Sequence, residues 1–315
     1  RKFTWYLETA FKTEDAINNP FALQITNGDT TISERFISRP GTVYYTSLAY
    51  ASKGLGMTIE AKRTENFTFR TRPQVQLNRG LVNFLPPMAR VNTYRLLARY
   101  NAATQELGEM ALQADLHYAP KRNLRFNLNF SSIWNLENEL LYREVFTETA
   151  LPLNNRSSLK TGIQFQQYNQ RIYESKPGAA LLEGWTPYAE LLLKIGNRRS
   201  LRIETQYKLV GKNPANGLKQ DYGDWAFALI EYSVAPNWTC SISDMYNSKP
   251  GENSPEDANG RRSLHYPRID LSYTKGTNRF DLSYVKQVEG VVCTGGICRL
   301  EPAFSGFRFT LNSSF

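Results

Sequence analysis

The chain has 315 residues, enough for one large β-domain or two ordinary ones. Hydrophobic residues make up 41%, and no apolar run reaches the roughly 18 residues of a membrane helix. This excludes a helical membrane protein but not a membrane barrel, whose strands need an apolar residue only at every second position. The net charge of +9, from 38 basic and 29 acidic residues, comes without a Lys/Arg block or binding motif, so nucleic acid is not an expected partner.

The chain opens RKFTWYLETAF, already in strand pattern, with no initiator Met or signal peptide, and reads as a mature or truncated chain. Phe3, Trp5, Leu7 and Phe11 share one face, and Thr4, Tyr6 and Glu8 the other. Residues 12–41 read as a long polar segment with turn signals. A hairpin follows, in which Tyr44, Leu48 and Tyr50 alternate outward, residues 52–54 turn, and Leu55, Met57, Ile59 and Ala61 alternate back. Residues 67–91 lose the alternation, and Pro86-Pro87 cannot sit inside a paired central strand. Two readings stand there: a loop folded into the lumen as a partial plug, or an ordinary external loop with one irregular strand.

Regular alternation then resumes. Tyr94, Leu96, Ala98 and Tyr100 oppose Arg95 and Arg99, which predicts a strand. Met110, Leu112, Ala114, Leu116 and Tyr118 oppose Gln113, Asp115 and His117, and Leu124, Phe126, Leu128 and Phe130 oppose Arg125, Asn127 and Asn129. A weaker segment around Val145–Leu151 leads to Leu159, Ile163 and Phe165, facing away from Lys160, Gln164 and Gln166. Ala189, Leu191, Leu193 and Ile195 face away from Glu190 and Lys194. Leu201, Ile203, Tyr207 and Leu209 oppose Arg202, Glu204, Gln206 and Lys208. Further strands contain Ile269 to Tyr273 and Phe280 to Tyr284. In the last, FRFTLNSSF, an apolar row of Phe307, Phe309, Leu311 and Phe315 resembles the C-terminal signal that marks the closing strand of outer-membrane barrels.

Short turns alternate with longer polar loops (135–141, 173–184, 211–223, 248–262, 289–301). That asymmetry belongs to an outer-membrane barrel with short periplasmic turns and longer extracellular loops, and it places the C-terminus in the periplasm. The expectation is therefore an all-β, antiparallel transmembrane barrel of about 14–16 strands, one domain over residues 1–315 that lacks an N-terminal portion. A soluble β-sandwich also alternates, but the aromatic load of 18 Tyr, 17 Phe and 5 Trp suits aromatic girdles at two membrane interfaces. The polar faces, with Arg95, Arg99, Asp115, Arg125, Lys160, Glu190, Lys194, Arg202, Glu204 and Lys208, are expected to line the lumen, since charge at the lipid midplane is costly.

Cys293 and Cys298, in CTGGIC, are expected to form a local disulfide, with Cys240 alone. Asp115 and His117 share a face, but no nucleophile, metal-ligand set or phosphate loop accompanies them, so no enzyme and no cofactor is expected. Two functions remain. One is a porin-like or transport pore favouring anions. The other is a structural barrel subunit of a larger complex for barrel assembly or protein secretion. The expected partners are outer-membrane lipid, the barrel-assembly machinery during biogenesis, and other outer-membrane proteins or lipoproteins in a stable complex.

The stretches YASKGLGMTIEAKR, NFLPPMARVNTYRL, GDWAFALIEYSVAPNW and VVCTGGICRLEPAFSGFRFTLNSSF resemble a family of Bacteroidota outer-membrane proteins with no assigned role. The resemblance covers most of the chain. It implies an outer-membrane barrel with a longer N-terminus, and little about activity.

Overall fold

Alternating side chains suit a ladder with unlike faces, and one antiparallel sheet takes up almost all of that pattern. The computed structural model describes residues 2–18, 23–26, 29–32, 36–73, 80–83, 85–105, 108–121, 123–294 and 297–313. The first strands are β1 (Phe3–Asn18), β2 (Leu23–Thr26), β3 (Asp29–Ile32), β4 (Phe36–Ser52), β5 (Leu55–Glu65), β6 (Phe69–Arg70) and β7 (Leu81–Asn83). Next come β8 (Gly108–Lys121), β9 (Leu124–Trp134), β10 (Leu140–Asn154), β11 (Ser157–Tyr168) and a one-turn helix α1 (Gln170–Tyr173). Then follow β12 (Leu182–Ile195), β13 (Arg199–Val210), β14 (Gly223–Val234), β15 (Trp238–Pro250), β16 (His265–Lys275) and β17 (Asn278–Gln287). The chain finishes with β18 (Gly290–Thr294), β19 (Ile297–Glu301) and β20 (Phe304–Asn312).

Fourteen strands form the main sheet, in the order β1-β4-β5-β8 through β17 to β20, and β2–β3, β6–β7 and β18–β19 are separate hairpins. Each principal strand pairs antiparallel with its sequence neighbours. The sheet is therefore an up-and-down meander that curls around residues 85–105, with β1 and β20 at its two edges. Tight turns such as Lys53-Gly54 and Gly276-Thr277 lie at one rim; loops 169–181, 211–222 and 251–264 and the β18–β19 hairpin lie at the other.

The two faces are inverted relative to a soluble protein. Outward Ile230, Ile242 and Leu271 are 49%, 54% and 40% exposed, whereas inward Gln164, Gln166 and Lys208 are fully buried. In register, Leu151, Leu159, Leu191, Ile203, Ile230, Ile242, Ile269, Tyr284 and Phe307 form one apolar row across nine strands. A belt of this kind exposes apolar area that water would penalise and lipid would not. The molecule is an all-β, antiparallel barrel of the transmembrane type. Replacing Ile230 with Arg should therefore cost about 2–4 kcal/mol in urea-driven unfolding from lipid vesicles. An unchanged midpoint would place that row outside lipid.

Several expectations need correction. Residues 12–41 are not one long loop: β1 runs on to Asn18 and β4 begins at Phe36. Their ladder continues through a register shift between Lys12 and Asp15, and Pro40 sits opposite that break, where no ladder donor is needed. Polar residues mislead there because a paired backbone satisfies itself whatever its side chains meet. Residues 94–100 are not a strand either. The turn bonds Ala98 N–H to Tyr94 O and Arg99 N–H to Leu96 O replace a ladder, and Leu96 and Leu97 are both buried, which one-sided alternation cannot achieve.

The closing role read into Phe307, Phe309 and Leu311 is not seen. β20 pairs with β17, β1 pairs with β4, and no ladder joins β20 to β1 among the described residues. Those three side chains are outward and exposed, as alternation requires, whereas closure depends on the combined tilt and shear of all the strands. Phe315 lies outside the described residues.

Candidate functional site: a filled lumen above a basic chamber

Residues 85–105 cross the barrel interior as irregular backbone. At membrane depth such backbone must find its partners within protein. Side chains on the strands' inner faces supply them. Gln206 on β13 accepts from Leu96 N–H at 2.6 Å, Gln164 on β11 donates to Leu97 O at 3.2 Å, and Gln166 donates to Tyr100 O at 2.6 Å. Asn92 donates to Glu144 on β10 at 3.0 Å, and Lys62 on β5 donates to Pro86 O at 2.6 Å while pairing with Glu109 on β8 at 2.9 Å.

Apolar and aromatic contacts fill the rest. Tyr94 packs on Tyr188 with ring centroids 4.5 Å apart, in a cluster with Leu97 and Phe146. Gly162 makes room for this cluster: a Cβ there would stand 2.8 Å from Tyr188 Cε1. The Arg90 guanidinium lies 3.5 Å over the Phe146 ring, and Arg99 lies 4.6 Å over Trp225. The lumen is thus a packed core at this level rather than an open channel.

The loops of the long-loop rim lock onto this segment through Asp221. Its carboxylate accepts from Tyr100 Oη at 2.8 Å, Lys176 Nζ at 3.1 Å and Asn253 Nδ2 at 3.1 Å, which joins the inner segment to three loops. Burial alone would raise the Asp221 carboxyl, but Lys176 and Arg99 outweigh it and hold the group below its ordinary value. A depressed carboxylate contributes stability that is complete above its unfolded pKa and is lost as pH falls through the folded value. Hydrogen-exchange protection of loops 174–181 and 211–222 should therefore stay constant from pH 8 to 5, fall only below about pH 3.9, and be lost at every pH in Asp221→Asn. Loosening already at pH 6 would show that another group controls the latch.

Below the filled level is a chamber of about 1050 Å³. Its lining carries nine basic and four acidic side chains. All four acids are engaged. Arg202 pairs with Glu204 and Glu231, Arg268 with Asp270 at 2.8 Å, and Arg279 with Asp281 at 2.9 Å. Arg95, Lys194, Arg198, Arg199 and Arg308 also line the chamber, with no ion-pair partner among the described residues.

Of the residues expected inside, Lys194, Arg202 and Glu204 reach this chamber from β12 and β13, and Arg95 reaches it from the inner segment. Arg99 is packed in the filled level. Arg125 and Lys160 line a second opening beside Glu148, and Lys160 pairs with Glu190 at 3.0 Å. Lys208 is buried among Gln166 and Thr186. Asp115 and His117 do not form a pair: they bond Asn129 and Asn127 of β9, each at 2.8 Å. Sequence reading set Lys62 on the polar side of its strand without its partner, and missed Glu109, Glu144 and Asp221. Polar-face phase carried Glu109 and Glu144 as well, but nothing in the loop sequence marks Asp221 as a hub.

Comparison with known proteins adds a family. The model of DUF6029, a family of unknown function, matches residues 1–315. The chain belongs to the DUF6029 family. No curated protein matches it. Among solved structures, this DUF6029 chain is similar to Pseudomonas aeruginosa OccK8 (OprE), at 9% identity and a TM-score of 0.48, over 99% of this chain and 77% of that one. It is also similar to a Pseudomonas aeruginosa FadL homologue, at 11% identity and a TM-score of 0.36, over 98% and 89% of the two chains. A mutant of the Rh. blastica porin shares 10% identity at a TM-score of 0.36, over 97% of this chain and 99% of that one.

Proposed function

We propose that this DUF6029 chain is an integral outer-membrane channel that passes solutes without chemistry, with a filled level near one mouth and an anion-favouring chamber near the other. The observation that carries this reading is the inverted pair of faces. An in-register apolar belt outside encloses polar and charged side chains inside, nine basic against four acidic in the chamber. The short-turn rim with the C-terminus is periplasmic, and the Asp221-latched loops are extracellular. Residues Cys293 and Cys298 stand opposite each other in the β18–β19 register, which supports a disulfide across that outer hairpin; their side chains lie outside the described residues.

Purified protein in a planar bilayer under a salt gradient tests this directly. Ion-selective steps with a reversal potential on the anion side are expected. Cation preference would overturn the assigned lumen charge, and a folded but silent barrel would overturn the channel reading.

One observation favours a second reading, a barrel subunit of a larger envelope complex. β1 and β20 present ladder edges to which no strand is paired among the described residues. In lipid each unsatisfied backbone group costs several kcal/mol, so such edges invite partners. A tagged copy purified in mild detergent with no stoichiometric companion would count against this reading.

A further inference from the structure

We infer that the chamber is a binding site for multivalent oxyanions, small solutes carrying several carboxylates or phosphates, and that Arg95 is its central contact. The inference rests on the channel reading and assigns that channel a solute class. Three features of the charge arrangement lead to it.

First, the acids and bases of the wall are sorted. Asp270 and Asp281 are neutralised by the arginine two residues before each on the same strand, and Glu204 and Glu231 share Arg202. Every carboxylate in the lining is therefore engaged, and with nine basic side chains to four acidic ones the net surplus is cationic.

Second, the surplus comes from two directions. Lys194, Arg198 and Arg199 stand at the β12–β13 turn, and Arg308 stands on β20. Arg95 instead descends from the inner segment, so a solute in the chamber meets charge from roof and wall together. One monovalent anion cannot satisfy both, whereas a solute with several oxyanion groups can. Arginine's planar fork suits carboxylate and phosphate alike.

Third, Arg95 has no structural task. Its side chain is exposed and lines the chamber, no hydrogen bond or ion pair engages it among the described residues, and it feels Arg99 and Arg268, both positive, more strongly than the one carboxylate that acts on it, Glu301. Like-charge crowding without a partner is unfavourable in the empty site and is relieved when an anion enters.

Isothermal titration of the full chain in detergent with citrate and with inorganic triphosphate tests the inference, with acetate and sucrose as controls. Both multivalent anions should bind, more weakly as salt rises, while sucrose should not bind and acetate should bind far less well. Arg95→Gln and Arg199→Gln should each weaken binding about tenfold or more, and Lys275→Gln, on an exposed strand end outside the chamber, should not. Binding of only one probe assigns the solute to carboxylates or to phosphates. Equal affinity in Arg95→Gln, an equal loss in Lys275→Gln, or no binding of either probe overturns the site. Titration does not depend on conductance. A silent bilayer with intact citrate binding refutes the channel alone, and an anion-selective channel that binds neither probe refutes the site alone.

Discussion

Glu109→Gln should destabilise the folded barrel by about 3–5 kcal/mol, the largest single effect expected of any polar substitution here. Glu109 and Lys62 form a 2.9 Å pair with only 1% and 6% of their side chains exposed. Removing the carboxylate charge leaves the ammonium buried without compensation. The same ammonium donates to Pro86 O, so the loss should also loosen the inner segment at its entry into the lumen. Urea-driven unfolding from lipid vesicles, followed by tryptophan fluorescence, gives the comparison. The double variant Lys62→Met with Glu109→Leu removes both charges and should recover most of the loss, because an apolar pair of similar volume carries no desolvation penalty. If Glu109→Gln unfolds at the wild-type midpoint, the pair is solvated in the membrane and the filled lumen is wetter than this packing implies.

Leu97→Ala should widen the channel and keep it open for longer. Leu97 is fully buried against Tyr94, Phe146 and Tyr188, and truncating such a residue costs about 2–5 kcal/mol. Here the cost falls on docking of the inner segment rather than on the strand ladders, which hold without it. The ratio of docked to undocked segment should therefore fall by about 1.5–3.5 powers of ten. Single-channel recordings should show longer and larger openings, with hydrogen-exchange protection lost across residues 92–100 and kept in the strands. Val91→Ala is the matched control, since Val91 is 77% exposed and its truncation should change stability by less than about 0.5 kcal/mol. Unchanged conductance with the segment demonstrably undocked would mean that residues 92–100 do not obstruct the path.

The first prediction concerns a residue whose phase was legible and whose partner was not. Lys62 sits on the polar side of its strand at once, by alternation with Ile59 and Ala61. Its pairing with Glu109 depends on the register of β5 with β8, which sets Lys62 beside Ala111 and brings Glu109 within reach on the next strand. Chain segments 43 or more residues apart carry no local trace of such a register. Arg95 shows the opposite case. It lines the chamber, but the strand expected to carry it does not exist. Period two fitted Tyr94, Leu96, Ala98 and Tyr100 by residue type alone. The adjacent pair Leu96-Leu97 was the available warning, since a strand between lipid and lumen has no use for two neighbouring buried leucines.

By itself the sequence determined the all-β class, the antiparallel meander and the division of each strand into an apolar and a polar face. Those properties are local, because side-chain direction alternates residue by residue and a reversal needs only a few turn residues. Tertiary structure decided what the polar faces enclose. The inner segment 85–105 fills one level, Asp221 ties it to three loops, and a surplus of unpaired cations is left around the chamber below. Each of these arises where residues from distant strands converge on one volume, and the energy that selects the arrangement belongs to partners that the linear pattern does not bring together.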